Sequence, residues 1–288
     1  MPDTHGGNIF KFSHDHKINL SEVTDFSANI NLLGPSPKGL EALNERLRYI
    51  SHYPDVTNND VMNTIADVYG IEKDSILLGN GAAELIYAVG RLSGFTGAFV
   101  PAPGFSEYQA SMDAANIPVR EIFYRQRQND DGTPYFEVPY LALQTFAAEL
   151  KGQDGRIIVF LGNPNNPDGT LLDKQSIKVL AQMLKDANSL LVIDESFIDF
   201  IGNESLRHNS YSMRELINQY DNVIIVHSFT KFYAVPGLRI GAVFANPTLI
   251  QELRQYIPAW SVNTLAQAYT ESALTDTKYI NDSKMVLA

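Results

Sequence analysis

Lys231 and Arg239 stand eight residues apart in Ser228-Phe-Thr-Lys231-Phe-Tyr-Ala-Val-Pro-Gly-Leu-Arg239, a stretch that also carries hydroxyls at Ser228 and Thr230. An amine in such a loop can condense with an aldehyde, while a guanidinium and two hydroxyls can hold a phosphate dianion. Upstream, Leu191-Val-Ile-Asp194 is a short apolar run that ends in a carboxylate. A buried strand of this kind delivers an acid to a sheet edge, where it can pair with a protonated ring nitrogen. Gly79-Asn-Gly81-Ala82-Ala83-Glu84 lies between a strand pattern and a helix pattern. Its small residues allow the amides of Ala82 and Ala83 to approach a phosphate at a helix N-terminus. Further along comes the turn-rich Gly162-Asn-Pro-Asn-Asn166-Pro-Asp-Gly. Each motif alone is weak. Their order and spacing together point to pyridoxal 5'-phosphate.

Every one of these residues has a plainer reading. A lone lysine is ordinarily a solvated surface group, but Lys231 follows directly on an apolar strand pattern. Asp194 could cap a helix, Thr230 could cap a turn, and Glu195 beside Asp194 reads as structural. Ser228-Phe-Thr-Lys231 also fits a Ser-x-x-Lys nucleophile motif, whose Ser-Asp-Asn and Lys-Thr-Gly partners the chain lacks. The glycine turn lacks the third glycine of a dinucleotide fingerprint, which removes a nicotinamide-dependent dehydrogenase. The histidines have no metal-ligand spacing and no cysteine companions, so no metal is expected.

To bring such distant motifs together the chain needs a sheet whose strand ends share one edge. From about residue 60 strand and helix patterns alternate, which predicts an α/β fold with a mostly parallel sheet flanked by helices. Strands are expected over 75–78, 97–100, 117–124, 156–161, 189–193, 222–226 and 238–244. Helices are expected over 37–49, 82–92, 105–115 and 173–187, with a helical pattern again beyond Asn246-Pro247. Residues 125–133 read as a polar insertion that ends in an Asp131-Gly turn. Three regions follow: an N-terminal arm with part of a small domain (1–50), a large cofactor-binding domain (51–250), and the start of a C-terminal small domain (251–288).

The 288 residues carry a net charge of −11, which speaks against nucleic acid and anionic membranes as partners but leaves room for a local cationic pocket. Zero cysteines exclude disulfides and thiolate catalysis. No secretory apolar segment opens the chain, and no stretch reaches the roughly 20 apolar residues of a membrane helix. A soluble, cytoplasmic protein is expected.

The whole set resembles the fold type I pyridoxal-phosphate enzymes of the aminotransferase class I/II superfamily, from about residue 5 to the end of the chain. Within it, His5-Gly6-Gly-Asn8, Asp25-Phe-Ser-Ala-Asn29-Ile-Asn31-Leu-Leu-Gly and Tyr53-Pro-Asp55 are similar to the threonine-phosphate decarboxylases. The histidinol-phosphate aminotransferases share the cofactor motifs. The resemblance implies that Lys231 bonds the cofactor and moves protons at the substrate α-carbon, and that Asp194 keeps the ring nitrogen protonated. It implies further that Tyr108 stacks on the ring, that Asn166 bonds the ring oxygen, and that Ser228, Thr230 and Arg239 close the phosphate cup. Tyr53 would reach the phosphate held by a second copy, in a homodimer. His5, Gly6, Asn8, Asn29 and Asn31 would line the substrate side and meet a small phosphorylated amino acid. Relatives continue into a C-terminal domain that supplies an arginine for the substrate carboxylate, so the small domain here is expected to be incomplete. One position departs from the aminotransferase pattern: Phe197 stands where those enzymes favour a tyrosine. The two activities implied are decarboxylation of O-phosphothreonine or a close phosphoamino acid, and transamination. A non-catalytic binding protein on the same fold has no use for Lys231, Asp194 and Arg239 together.

Overall fold

The computed structural model describes residues 6–138, 140–150, 155–202 and 204–287. Its centre is a seven-stranded sheet in the order β1-β9-β8-β7-β6-β2-β3. The strands are β1 (Ile76–Gly79), β2 (Phe95–Ala102), β3 (Val119–Phe123), β6 (Arg156–Gly162), β7 (Leu190–Asp194), β8 (Val223–Ser228) and β9 (Gly241–Ala245). Residues of β7 and β8 are buried throughout, as unbroken Leu/Ile/Val runs require when both faces of a sheet are covered. A separate hairpin pairs β4 (Arg125–Gln128) with β5 (Pro134–Glu137).

Helices α1 (Ile9–His16), α2 (Pro37–Arg46), α3 (Asn59–Tyr69), α4 (Gly81–Gly90), α5 (Ser106–Ala114), α6 (Tyr140–Leu150) and α7 (Lys174–Asp186) precede the lysine segment. The segment itself is the single turn α8 (Phe229–Phe232), followed by α9 (Pro247–Arg254), α10 (Thr264–Ala273) and α11 (Thr277–Leu287). One face of the sheet packs on Leu85 and Ile86 of α4, Met112 of α5, and Ile250 and Leu253 of α9. The other packs on Val61 and Ile65 of α3, Leu143 of α6, and Ile177, Leu180, Ala181 and Leu184 of α7. In α7 these four sit at i, i+3, i+4 and i+7, one stripe of a 3.6-residue period, and Asp173 caps the helix by accepting from the Ser176 amide at 2.9 Å. Among the described residues no helix is long and apolar enough to cross a membrane.

Three sequence-based expectations change. The last strand of the sheet, β9, runs antiparallel to both of its neighbours, β8 and β1, and begins at Gly241 rather than at 238. Residues 125–133, expected as a polar insertion ending in a turn, also contain a strand and form the first arm and turn of the β4–β5 hairpin, whose residues are exposed and therefore lack an apolar alternation. The N-terminal arm, expected as extended chain and loop before residue 37, contains a helix, α1, with no buried residue.

The direction of β9 positions the site. Strands β1, β2, β6, β7 and β8 all point their carboxyl ends to one edge, so Asp194 at the end of β7 and the segments after the other strands, holding Gly81, Phe105, Asn166 and Lys231, meet there. An antiparallel β9 brings its amino end to the same edge. Gly241 is paired with both Gly79 and Ser228, and Arg239 precedes it by two residues.

Candidate active site

At this edge two adjoining cavities open. The inner one, about 110 Å³, is lined by Ala82, Ala83, Tyr108, Asn166, Asp194, Ser228, Thr230, Lys231 and Arg239. The structure thus brings together the cofactor-side residues expected from sequence, except Tyr53 and Gly81, the latter lying against Arg239 without lining the cavity. The outer cavity, about 540 Å³, falls in the size range of small-molecule clefts. It shares Lys231, Arg239, Asn166 and Phe197 with the inner one and adds Gly6, Ser27, Ala28 and Asn29 of the arm.

A phosphate monoester fits the donors at the inner end. Helix α4 begins at Gly81 with no side-chain cap from Asn80, which leaves its first amides to an outside acceptor. Gly81 has φ +80°, and a Cβ there would stand 2.2 Å from Arg239 Nη2, so only glycine lets the guanidinium lie against this turn. Ser228 Oγ and Thr230 Oγ1 are 2.7 Å apart, both buried. Arg239 itself adopts φ +56°, and its Nη1 donates to Pro236 O at 3.3 Å. Amides, hydroxyls and a guanidinium around one small space are the donor set an anion of this charge requires.

Lys231 is half-buried at the junction of the two cavities. Burial first, and then the charge of Arg239, hold its ammonium below the usual lysine value, against an opposing pull from Asp194. A neutral amine is the form that attacks an aldehyde. Arg239→Gln removes the second cause, so the pH midpoint for covalent labelling of Lys231 by an amine reagent should move upward, read by mass spectrometry of the cofactor-free chain. An unchanged midpoint would leave burial as the sole cause.

Asp194 ends β7 almost fully buried, its Oδ2 accepting from Tyr108 Oη at 2.8 Å and its Oδ1 from the Ser196 amide at 2.9 Å. Glu195 turns to the opposite side, where it accepts from Ser212 Oγ at 2.7 Å and from the Met213 amide, the structural role expected of it. Phe105, Pro164 and Ser196 also line the inner cavity and were not singled out in the sequence. For Phe105 the signal was present, an aromatic directly before a helix in Pro103-Gly-Phe-Ser.

The arm residues divide. Gly6 and Asn29 line the outer cavity, and Gly6 has to be glycine because a Cβ would meet Ser27 O at 1.8 Å. Asn8 caps α1, accepting from the Lys11 amide at 3.2 Å, and does not line either cavity. Asn31 turns away as well. Its buried amide donates to Phe232 O, Tyr279 Oη and Ser283 Oγ at 2.7–3.0 Å, while its backbone N–H donates to Lys231 O at 3.1 Å. It ties the arm to the lysine turn and to α11 instead of facing a ligand. His5 lies outside the described residues. Tyr53 is 80% exposed, stacked on Trp260 with ring centroids 4.7 Å apart, and lines neither cavity.

Comparison with known proteins agrees with this geometry. Residues 21–286 match the sequence profile described as "Aminotransferase class I and II". The adenosylcobalamin biosynthesis bifunctional protein CobDQ of Leptospira interrogans is 36% identical over 97% of this chain, which spans 30% of that protein's length. The threonine-phosphate decarboxylase of Salmonella typhimurium is 31% identical over 96% of this chain, which spans 71% of that protein. The crystal structure of histidinol-phosphate aminotransferase from Clostridium acetobutylicum aligns with a TM-score of 0.77 at 26% identity, covering 91% of this chain and 73% of that one. With a sequence match over nearly the whole chain, and a pocket whose donors suit a phosphorylated pyridine aldehyde, the chain belongs to the aminotransferase class I and II family and its cofactor is pyridoxal 5'-phosphate.

Proposed function

We propose that the protein decarboxylates O-phospho-L-threonine, or a close phosphoamino acid, to an aminoalcohol phosphate in cobamide synthesis. The observation that carries this reading is the wall of the outer cavity. The segments that resemble the decarboxylases, represented there by Gly6, Ser27 and Asn29, face Lys231 and Arg239 together with Phe197. When bound, pyridoxal phosphate supplies a protonated ring that accepts an electron pair from the substrate α-carbon. Asp194 holds that ring's nitrogen, and the Lys231 amine moves a proton at the α-carbon. The bond that breaks is the one held perpendicular to the ring, so the grips on carboxylate and phosphate choose the reaction. In this reading the arm supplies the phosphate grip. The names of the Leptospira and Salmonella relatives support it.

The second reading, a histidinol-phosphate or related aminotransferase, is favoured by the likeness to the Clostridium structure. One assay separates the two. Incubation with O-phosphothreonine should release carbon dioxide faster than histidinol phosphate with 2-oxoglutarate yields glutamate. Glutamate formed with histidinol phosphate and no carbon dioxide from phosphothreonine would transfer the assignment.

We also propose a homodimer in which Tyr53 reaches the cofactor phosphate of the second copy. Its support is the exposed, stacked pair of Tyr53 and Trp260, in which the tyrosine lines neither cavity of its own chain. Tyr53→Phe should weaken cofactor retention by about 0.5–1.5 kcal/mol, one hydrogen bond's worth. A monomeric, cofactor-saturated protein in light scattering would contradict this.

A further inference from the structure

Tyr108 does more than face the cavity with a ring. One of its faces lies parallel to Phe160, with centroids 5.0 Å apart at 12°, and Phe105 meets it edge-on at 5.7 Å and 86°. This packing fixes the ring, and its hydroxyl ends 2.8 Å from Asp194 Oδ2. The Ser196 amide holds Oδ1. With one donor on each oxygen, the carboxylate cannot rotate about its Cβ–Cγ bond without breaking a buried hydrogen bond. A carboxylate has about four lone-pair sites, so two remain for the cavity that Asp194 lines. Burial, and after it the charge of Asp194, push the Tyr108 phenol well above its ordinary value, so it stays a donor. Lys231 and Arg239 are the charged groups that line the cavity with this pair, and Tyr124 pushes the Tyr108 phenol in the same direction as Asp194.

We propose that Tyr108 is a positioning residue whose hydroxyl, paired with the Ser196 amide, aims Asp194 at the ring nitrogen of pyridoxal phosphate. The inference rests on Asp194 being the partner of that nitrogen. A purely packing or stacking tyrosine would need its ring and not its hydroxyl. The separating probe is a pair of ligands: pyridoxal phosphate, and its analogue with a C–H in place of the ring nitrogen.

Dissociation constants for both are measured on the protein stripped of cofactor. The wild type should bind pyridoxal phosphate more tightly than the analogue. Tyr108→Phe keeps the ring and should weaken pyridoxal phosphate about tenfold while changing the analogue less than about twofold. Unchanged analogue binding also shows that the variant's site is folded. Tyr108→Leu, which loses the ring, should weaken both. If Tyr108→Phe weakens both ligands equally or neither, the hydroxyl has no positioning role. If it tightens pyridoxal phosphate alone, the hydroxyl competes with the ring nitrogen, and the proposal is overturned. A wild type that fails to discriminate the two ligands would instead overturn the pairing of Asp194 with the nitrogen.

Discussion

Lys231→Ala should carry no covalent cofactor after borohydride reduction, whereas the wild-type chain should yield one labelled peptide containing residue 231. The expectation follows from position and state together. Lys231 is the one lysine lining either cavity among the described residues, and burial with the charge of Arg239 lowers its affinity for a proton. Loss of a positioned acid–base group of this kind typically lowers turnover by about 10²–10⁴-fold, over and above the loss of the covalent bond. The fold should survive, because the neighbours that hold the lysine turn act on the backbone. Asn31 N–H binds Lys231 O, and the Ser228 hydroxyl caps the turn through the Thr230 amide. Binding of cofactor by Lys231→Ala without the adduct would therefore separate the covalent role from the phosphate cup. An adduct on any other lysine would refute the central assignment.

Most of the inner cavity could be read from the chain because its motifs follow strands with a simple signature. Unbroken apolar runs before Asp194 and before Lys231 mark buried strands, and a glycine-rich turn before a helix marks an anion site. Other features had no such signature. That β9 runs antiparallel cannot be seen in Gly241–Ala245, since a strand buried on both faces looks the same in either direction. The hairpin β4–β5 was read as an insertion because its eight residues are all exposed and mainly polar. Asn31 is the instructive case. Its residue type and its place in the arm suit a ligand contact as well as a knot between three segments. Only the tertiary neighbours Tyr279 and Ser283, about 250 positions away, decide for the knot. The network behind the sheet was equally invisible, since it joins residues from α3, the loop after β7, and β8.

That network is the basis of the second large effect. Asp199 Oδ2 accepts from Tyr69 Oη at 2.7 Å and pairs with His227 Nε2 at 3.1 Å, and all three residues are buried. Arg214, also buried, lies over the Tyr69 ring with its guanidinium carbon 4.7 Å from the centroid. Asp199 is five residues past Asp194, and His227 is next to Ser228, so the pair pins together the two strand ends that carry the site. Asp199→Ala strips Tyr69 and His227 of a buried hydrogen-bond partner and Arg214 of a counter-charge, and should lower the free energy of unfolding by about 3–5 kcal/mol, read from urea unfolding.

The acid dependence gives the sign a second check. Burial raises the Asp199 carboxyl, but the charges of His227 and Arg214 and the two hydrogen bonds outweigh it, holding it below the ordinary carboxylate value. A carboxyl depressed in the folded state stabilises above its unfolded value, and that contribution is lost as pH falls through the folded value. Wild-type stability should therefore fall more steeply with acid than that of Asp199→Asn, which keeps acceptor and shape but cannot titrate. Asp199→Asn should also lose less stability than Asp199→Ala near neutral pH, because Tyr69 and His227 retain a partner. Equal acid profiles for wild type and Asp199→Asn would mean that the charge of Asp199 contributes nothing to holding these strand ends, leaving the hydrogen bonds to Tyr69 and His227 and the packing of Tyr69 and Phe229 around His227.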